Sequence, residues 1–246
     1  SRIYIDICER RVFFMVKKLG FAASIAALLA LIVLCQAGSR ILKGGFALGE
    51  ETLGSAYSAE NGRLIVLDPG HGGMDGGKEG VNGAKEKDIN LQISLTIKEL
   101  LEEEGVEVVM TRDTEERIGE DQVSDLKARV DIMNKEKPVL AVSIHQNSYH
   151  EESVHGAQVF YHNQSKEGAR AAAIIQETLR EIDPENTKEA KANNTYYILK
   201  KTEVPTAIAE CGFMSNYEEA QRLVSEEYQR ELAGAIVKGI LQYINE

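Results

Sequence analysis

The chain has 246 residues and a formal net charge of −11, enough length for a targeting segment plus one domain with a core of its own. Seven of its 28 Lys/Arg and five of its 39 Asp/Glu lie before residue 62, so the remainder is more acidic still. Such a surface repels nucleic acid, and the internal basic pairs Lys135/Lys137 and Lys200/Lys201 are too sparse for a phosphate-binding patch.

Residues 1–39 read as a leader. Lys17-Lys18 precedes a charge-free stretch from Leu19 to Ser39 that fits a secretion signal and is also long enough to span a bilayer. Both a cleaved signal and a retained membrane anchor stay open, and either places the rest of the chain outside the cytoplasmic membrane. Met15-Val16-Lys17-Lys18 resembles a natural start, so residues 1–14 are kept out of the fold reasoning. Residues 40–61, rich in Gly, Ser, Ala and Glu, read as a linker. Of three cysteines, Cys8 and Cys35 fall in the leader; the domain at 62–246 keeps only Cys211 and can form no internal disulfide.

From residue 62 strands and helices alternate. Leu64-Ile65-Val66-Leu67 is a short buried strand ending at Asp68-Pro69-Gly70-His71-Gly72-Gly73. Ile89, Ile93, Ile97, Leu100 and Leu101 follow a helical period from about Asp88 to Glu104, where Gly105 stops it. Val106 to Met110 is a strand; Leu126, Val130 and Met133 mark a helix ending near Lys137-Pro138. Val139 to Ile144 is a strand stopping at His145, and Ala157 to Tyr161 is another. Ala169 to Ile182 is helical. Tyr196–Leu199 and Thr206–Ala209 read as short strands, and Leu232, Ile236, Ile240 and Leu241 give a closing helix. This order predicts a single three-layer α/β domain with a mostly parallel central sheet flanked by helices. In such sheets ligands bind at the carboxyl ends of strands.

Three strand ends carry His71, His145 and Glu210. Catalytic zinc sites use three ligands drawn from His and carboxylate and keep one position open. His71 and His145 are two candidates, with His150, His155 and His162 as competitors in polar or loop surroundings. Glu86 is the candidate carboxylate ligand; it stands just before the Ile89 helix, and a first-turn acid favoured by the helix dipole is the plainer account of it. Glu210, between Ala209 and Cys211, has apolar neighbours that raise a carboxyl pKa towards the range useful for a general base. A nucleophilic Cys211 is a weaker alternative, and the glycines after residue 70 lack the Lys-Ser/Thr ending of a phosphate loop.

Leu67-Asp68-Pro69-Gly70-His71-Gly72-Gly73, Glu86-Lys87, Ser143-Ile144-His145-Gln146-Asn147 and Glu210-Cys211-Gly212-Phe213-Met214-Ser215-Asn216 resemble, in order, the four motif blocks of the zinc-dependent N-acetylmuramoyl-L-alanine amidases. Thr111-Arg112-Asp113 and Leu126-Lys127-Ala128-Arg129 match intervening stretches. Within that family the chain is similar to the CwlD-type germination-specific spore-cortex amidases. The resemblance implies Zn²⁺ held by His71, Glu86 and His145, with Glu210 as the catalytic carboxylate. It implies hydrolysis of the amide between N-acetylmuramic acid and L-alanine of bacterial peptidoglycan, in spore-cortex maturation. It also implies an activating partner protein, as in some relatives, contact with the membrane through the leader if uncleaved, and a location in the intermembrane space of the forespore. Gln146 departs from the pattern, standing where a small or apolar residue is commoner, and Asn193-Asn194-Thr195 replaces a segment that often carries Arg. Two rivals are a non-catalytic peptidoglycan-binding domain that keeps the fold and a zinc carboxypeptidase acting on stem peptides.

Overall fold

The computed structural model of the chain describes residues 63–246; the expected leader and linker lie outside the described residues. β1 (Leu64–Pro69) is buried along its whole length. After a glycine-rich loop, α1 (Glu86–Glu103) begins at an extended Lys85 and buries Ile89, Ile93, Ile97 and Leu101 on one stripe. Its end is set by Gly105, whose φ of 71° favours glycine. β2 (Glu107–Met110) follows. α2 (Gln122–Glu136) starts at a capping box, in which the Asp121 side chain accepts from the Ser124 backbone and Ser124 reciprocates.

β3 (Leu140–Asn147), β4 (Gln158–Tyr161), α3 (Lys166–Ile182), the two-residue β5 (Lys191–Ala192), α4 (Tyr197–Lys201), β6 (Thr206–Phe213), α5 (Tyr217–Leu223) and α6 (Glu226–Asn245) complete the described chain. The six strands lie in the order β2-β1-β3-β6-β4-β5. Every neighbouring pair is parallel except β4 with β6. This is the expected α/β architecture. Among the described residues, no helix is long and apolar enough to cross a membrane.

Three local readings differ from the sequence expectation. Tyr-Tyr-Ile-Leu at 196–199 has strand-like composition, yet most of it lies in α4. The Asn193 side chain accepts from the backbone N–H of Thr195 and Tyr196, and this turn redirects the chain so that Ile198 and Leu199 pack on Val130 and Met133. Next, His145 and Glu210 do not end their strands, which run on to Asn147 and Phe213 past a register shift. Finally, α1 starts at Glu86 rather than Asp88, which puts that carboxylate inside the first helical turn.

Strand alternation then separates two layers. Ile65, Leu67, Leu140, Val142, Ile144, Ala207, Ala209 and Cys211 face the larger core, beneath α1, α3 and α6. Val66, Ala141 and Ile208 face a smaller core with α2 and α4. Continued by twos, the second face carries Asp68, Ser143, His145 and Glu210 towards the carboxyl ends of β1, β3 and β6. There the apolar layer gives way to polar side chains.

Candidate metal centre and active site

The register of the sheet brings these polar residues together. Asp68 stands opposite Ser143, and His145 opposite Glu210. Neighbouring parallel strands lie about 4.8 Å apart, so His145 and Glu210 are side by side on the face that α2 and α4 leave open.

His71 follows β1 on a tight loop, with a positive φ of 63°. That conformation costs a non-glycine residue roughly 1–2 kcal/mol, so something must hold it. The Arg129 Nη2 group donates to the His71 carbonyl, and the His71 Nδ1–H group donates to Asp75 Oδ2 at 3.0 Å. With Nδ1 so engaged, Nε2 is the nitrogen free to meet an ion, the usual arrangement of a carboxylate-backed histidine ligand. Sequence reasoning missed Asp75. Its signal was a carboxylate four positions after a histidine in a glycine loop.

Glu86 is 2 % exposed. Its Oε2 lies 3.3 Å from His71 Nε2 and accepts from the Lys78 backbone at 2.8 Å. Its Oε1 lies 3.0 Å from His145 Nδ1 and accepts from the Gln146 backbone at 3.1 Å. One donor atom from each of His71, Glu86 and His145 falls within 4.8 Å of the others. Three N/O donors about 2.0–2.2 Å from one tetrahedral ion stand roughly 3.3–3.6 Å apart; Glu86 lies 3.3 and 3.0 Å from the two imidazoles, so the set could hold a divalent cation. His150, His155 and His162 are not drawn in: His150 is exposed beside Glu151, His155 is exposed, and His162 lines a separate cavity.

Two glycines are explained by this cluster. A Cβ on Gly70 would overlap the His145 imidazole, and one on Gly77 would stand 2.5 Å from Glu86 Oε2. Gly77 also has a φ of 69°, in the left-handed region. Charge also couples the members of the group. Burial pulls the His71 pKa down, but hydrogen bonding and charge from Glu86, then Asp75, override it and raise it to about 9. Burial pushes the Glu86 carboxyl up, and the imidazoles of His145 and His71 override that and hold it well below the ordinary carboxylate range.

Glu210 is 7 % exposed and shares a cleft of about 550 Å³ with His71, Glu86 and His145. Its Oε1 accepts from the Tyr196 hydroxyl at 3.4 Å, and its Oε2 is buried with no hydrogen-bond partner among the described residues. Burial raises its pKa; the nearby His145 opposes the shift and the Glu86 carboxylate adds to it. Leu126, Tyr197, Ile198 and Ile208 give the same cleft an apolar part of its lining. Cys211 is fully buried in the larger core, and burial pushes its thiol pKa far up. It cannot serve as a thiolate nucleophile.

The floor is a polar network. Gln146 Nε2 donates to Asn90 Oδ1 at 3.2 Å, and Asn90 Nδ2 donates to the Gly70 carbonyl at 3.1 Å. Asp68, 1 % exposed, accepts from Ser143, Thr111 and Arg129.

Three donors that could hold a cation, with a lone carboxylate beside them at the carboxyl ends of parallel strands, match the layout of a metal-assisted hydrolase. The sequence profile of the N-acetylmuramoyl-L-alanine amidases (Amidase_3) matches residues 65–242, and the chain belongs to that family. It is similar to the germination-specific N-acetylmuramoyl-L-alanine amidase of Bacillus subtilis, 36 % identical over 194 residues, covering 76 % of this chain and 81 % of that protein. Among solved structures, it resembles the CwlD amidase of Clostridioides difficile in complex with the GerS lipoprotein. That match has a TM-score of 0.72 at 34 % identity and covers 74 % of this chain and 98 % of the other. AmiC2 of Nostoc punctiforme gives a TM-score of 0.68 at 34 % identity, covering 75 % and 98 %. The protein is thus an enzyme, an N-acetylmuramoyl-L-alanine amidase acting on peptidoglycan.

Proposed function

We propose that His71, Glu86 and His145 hold Zn²⁺ and that Glu210 is the general base and acid. When bound, zinc supplies Lewis acidity to the scissile carbonyl and to water. His71, Glu86 and His145 would supply two imidazoles and one carboxylate, the ligand number of catalytic zinc sites, and all three line the cleft. Glu210 takes a proton from the attacking water as the water oxygen bonds to the lactyl carbonyl carbon. It then passes that proton to the nitrogen of L-alanine as the C–N bond breaks. The Tyr196 hydroxyl donates to Glu210 Oε1 and so helps orient the carboxylate. The supporting observation is the buried Glu210 carboxylate in register with His145, in the cleft that the three ligands share. Asp75 fixes the ring orientation of His71.

The likeness to a germination-specific amidase supports a role in spore-cortex maturation, and the CwlD–GerS complex supports an activating partner protein. Residues 1–39 then act as signal or anchor and 40–61 as linker, delivering 62–246 beyond the cytoplasmic membrane. The test is digestion of purified peptidoglycan by metal-stripped enzyme with and without added Zn²⁺, with the released fragments identified. Free stem peptides beginning at L-alanine are expected only with metal. Metal-independent release would overturn the zinc assignment.

A further inference from the structure

Of the intervening matches, Thr111 and Arg129 serve the Asp68 network and the His71 loop. Arg129 is ion-paired with Asp68 and Asp125. Arg112 is different. It is 5 % exposed and makes no ion pair among the described residues. Its N–H groups go to backbone carbonyls: Nε to Pro69 at 2.9 Å, Nη1 to Thr114 at 2.8 Å, and Nη2 to both Gly70 and Lys87 at 2.9 Å. Burying a guanidinium without a carboxylate is costly, so its hydrogen-bond geometry is what it contributes.

The Gly70 carbonyl belongs to the peptide bond that leads into His71. Lys87 follows Glu86 in the first turn of α1. A single nitrogen therefore ties the loop carrying one ligand to the helix carrying another. Asn90 Nδ2 reaches the same Gly70 carbonyl from α1. We infer that Arg112 is a positioning residue: its bridge between the Gly70 and Lys87 carbonyls sets the separation of the His71 and Glu86 ligand atoms, and with it the cation affinity of the site. This rests on the ligand set proposed above. Lysine cannot substitute, because a single ammonium lacks the planar fork that reaches four carbonyls at once.

The experiment uses metal-stripped full-length protein titrated with Co²⁺ against a chromophoric chelator. In Arg112→Lys the Co²⁺ dissociation constant should rise about 10- to 100-fold, the usual cost of losing an outer-shell partner. The visible Co²⁺ spectrum should change while the helical signal of the metal-free protein does not. In Arg112→Ala, added methylguanidinium should restore part of the affinity. Wild-type Co²⁺ affinity and spectrum in Arg112→Lys would overturn the inference, whatever its melting temperature. If Arg112→Lys does not fold, Arg112→Ala decides: Co²⁺ affinity that rises with methylguanidinium concentration supports the clamp, and affinity indifferent to it overturns the inference. His71→Ala separates the two levels of inference. Wild-type Co²⁺ affinity in that variant would refute the ligand set itself; loss of metal there, with normal binding in Arg112→Lys, would refute only the positioning role.

Discussion

Replacing Glu210 with glutamine keeps the side chain's size and removes only its capacity to take a proton. The Tyr196 hydroxyl, 3.4 Å from Oε1, can still donate to the amide oxygen, and the amide nitrogen falls where Oε2 has no hydrogen-bond partner among the described residues. Folding should change little, because relief from burying a carboxylate offsets the cost of an unpaired amide, about 1–3 kcal/mol. None of the closest Glu86 contacts to His71 and His145 involves Glu210, so metal binding should persist. Turnover should fall roughly 10²- to 10⁴-fold, the contribution of a positioned acid–base group. That corresponds to about 2.7–5.4 kcal/mol of lost transition-state stabilisation. The assay measures zinc content, melting temperature and release of L-alanine-terminated peptides on one preparation. Turnover within tenfold of wild type, with zinc retained, would remove Glu210 from the mechanism. Loss of zinc in parallel with activity would instead make it a fourth ligand and the site a closed, structural one.

Chelation should abolish activity yet leave most of the helical circular-dichroism signal, since the core around Ile65, Leu67, Ile144 and Ile236 does not depend on the metal; global unfolding would mark the metal as structural. Gly70→Ala should cut metal affinity and activity together by driving a methyl group into the His145 imidazole, and normal zinc stoichiometry would contradict that packing. Asp68→Asn, which breaks the buried pair with Arg129, should cost roughly 3 kcal/mol of stability, the low end for such pairs because Asp125 still holds Arg129. Burial raises the Asp68 pKa, but Arg129, Ser143 and Thr111 override it and hold it below the ordinary value. Its contribution is therefore complete above the unfolded carboxylate pKa of about 3.9 and fades as pH falls through the lower folded value. Denaturant titrations should show the gap between wild type and variant constant at neutral pH and narrowing in acid; a gap that widens in acid would refute the pairing.

Much of this enzyme is local and so legible in one dimension. Apolar period marks β1, α1, β3 and α6, glycines mark turns, and His71, Glu86, His145 and Glu210 stand in motif blocks that can be read without a fold. The strand reading of 196–199 fails because composition there favours a strand, while the Asn193 turn and packing on Val130 and Met133 favour a helix. Asp75 and Asn90 look in sequence like ordinary loop or helix polar residues, and Arg112 stands in a stretch that matches the family without showing what it does. What distinguishes them is which atoms they meet, and those partners are set by parallel strand pairing and helix packing across long separations. Glu86 meets His145 from 59 positions away, and Arg112 meets Gly70 from 42. Side-chain chemistry and short-range periodicity therefore determine the elements and the candidate ligands, whereas only the sheet register, with its two-residue alternation of faces, decides that the ligands converge and what holds them apart.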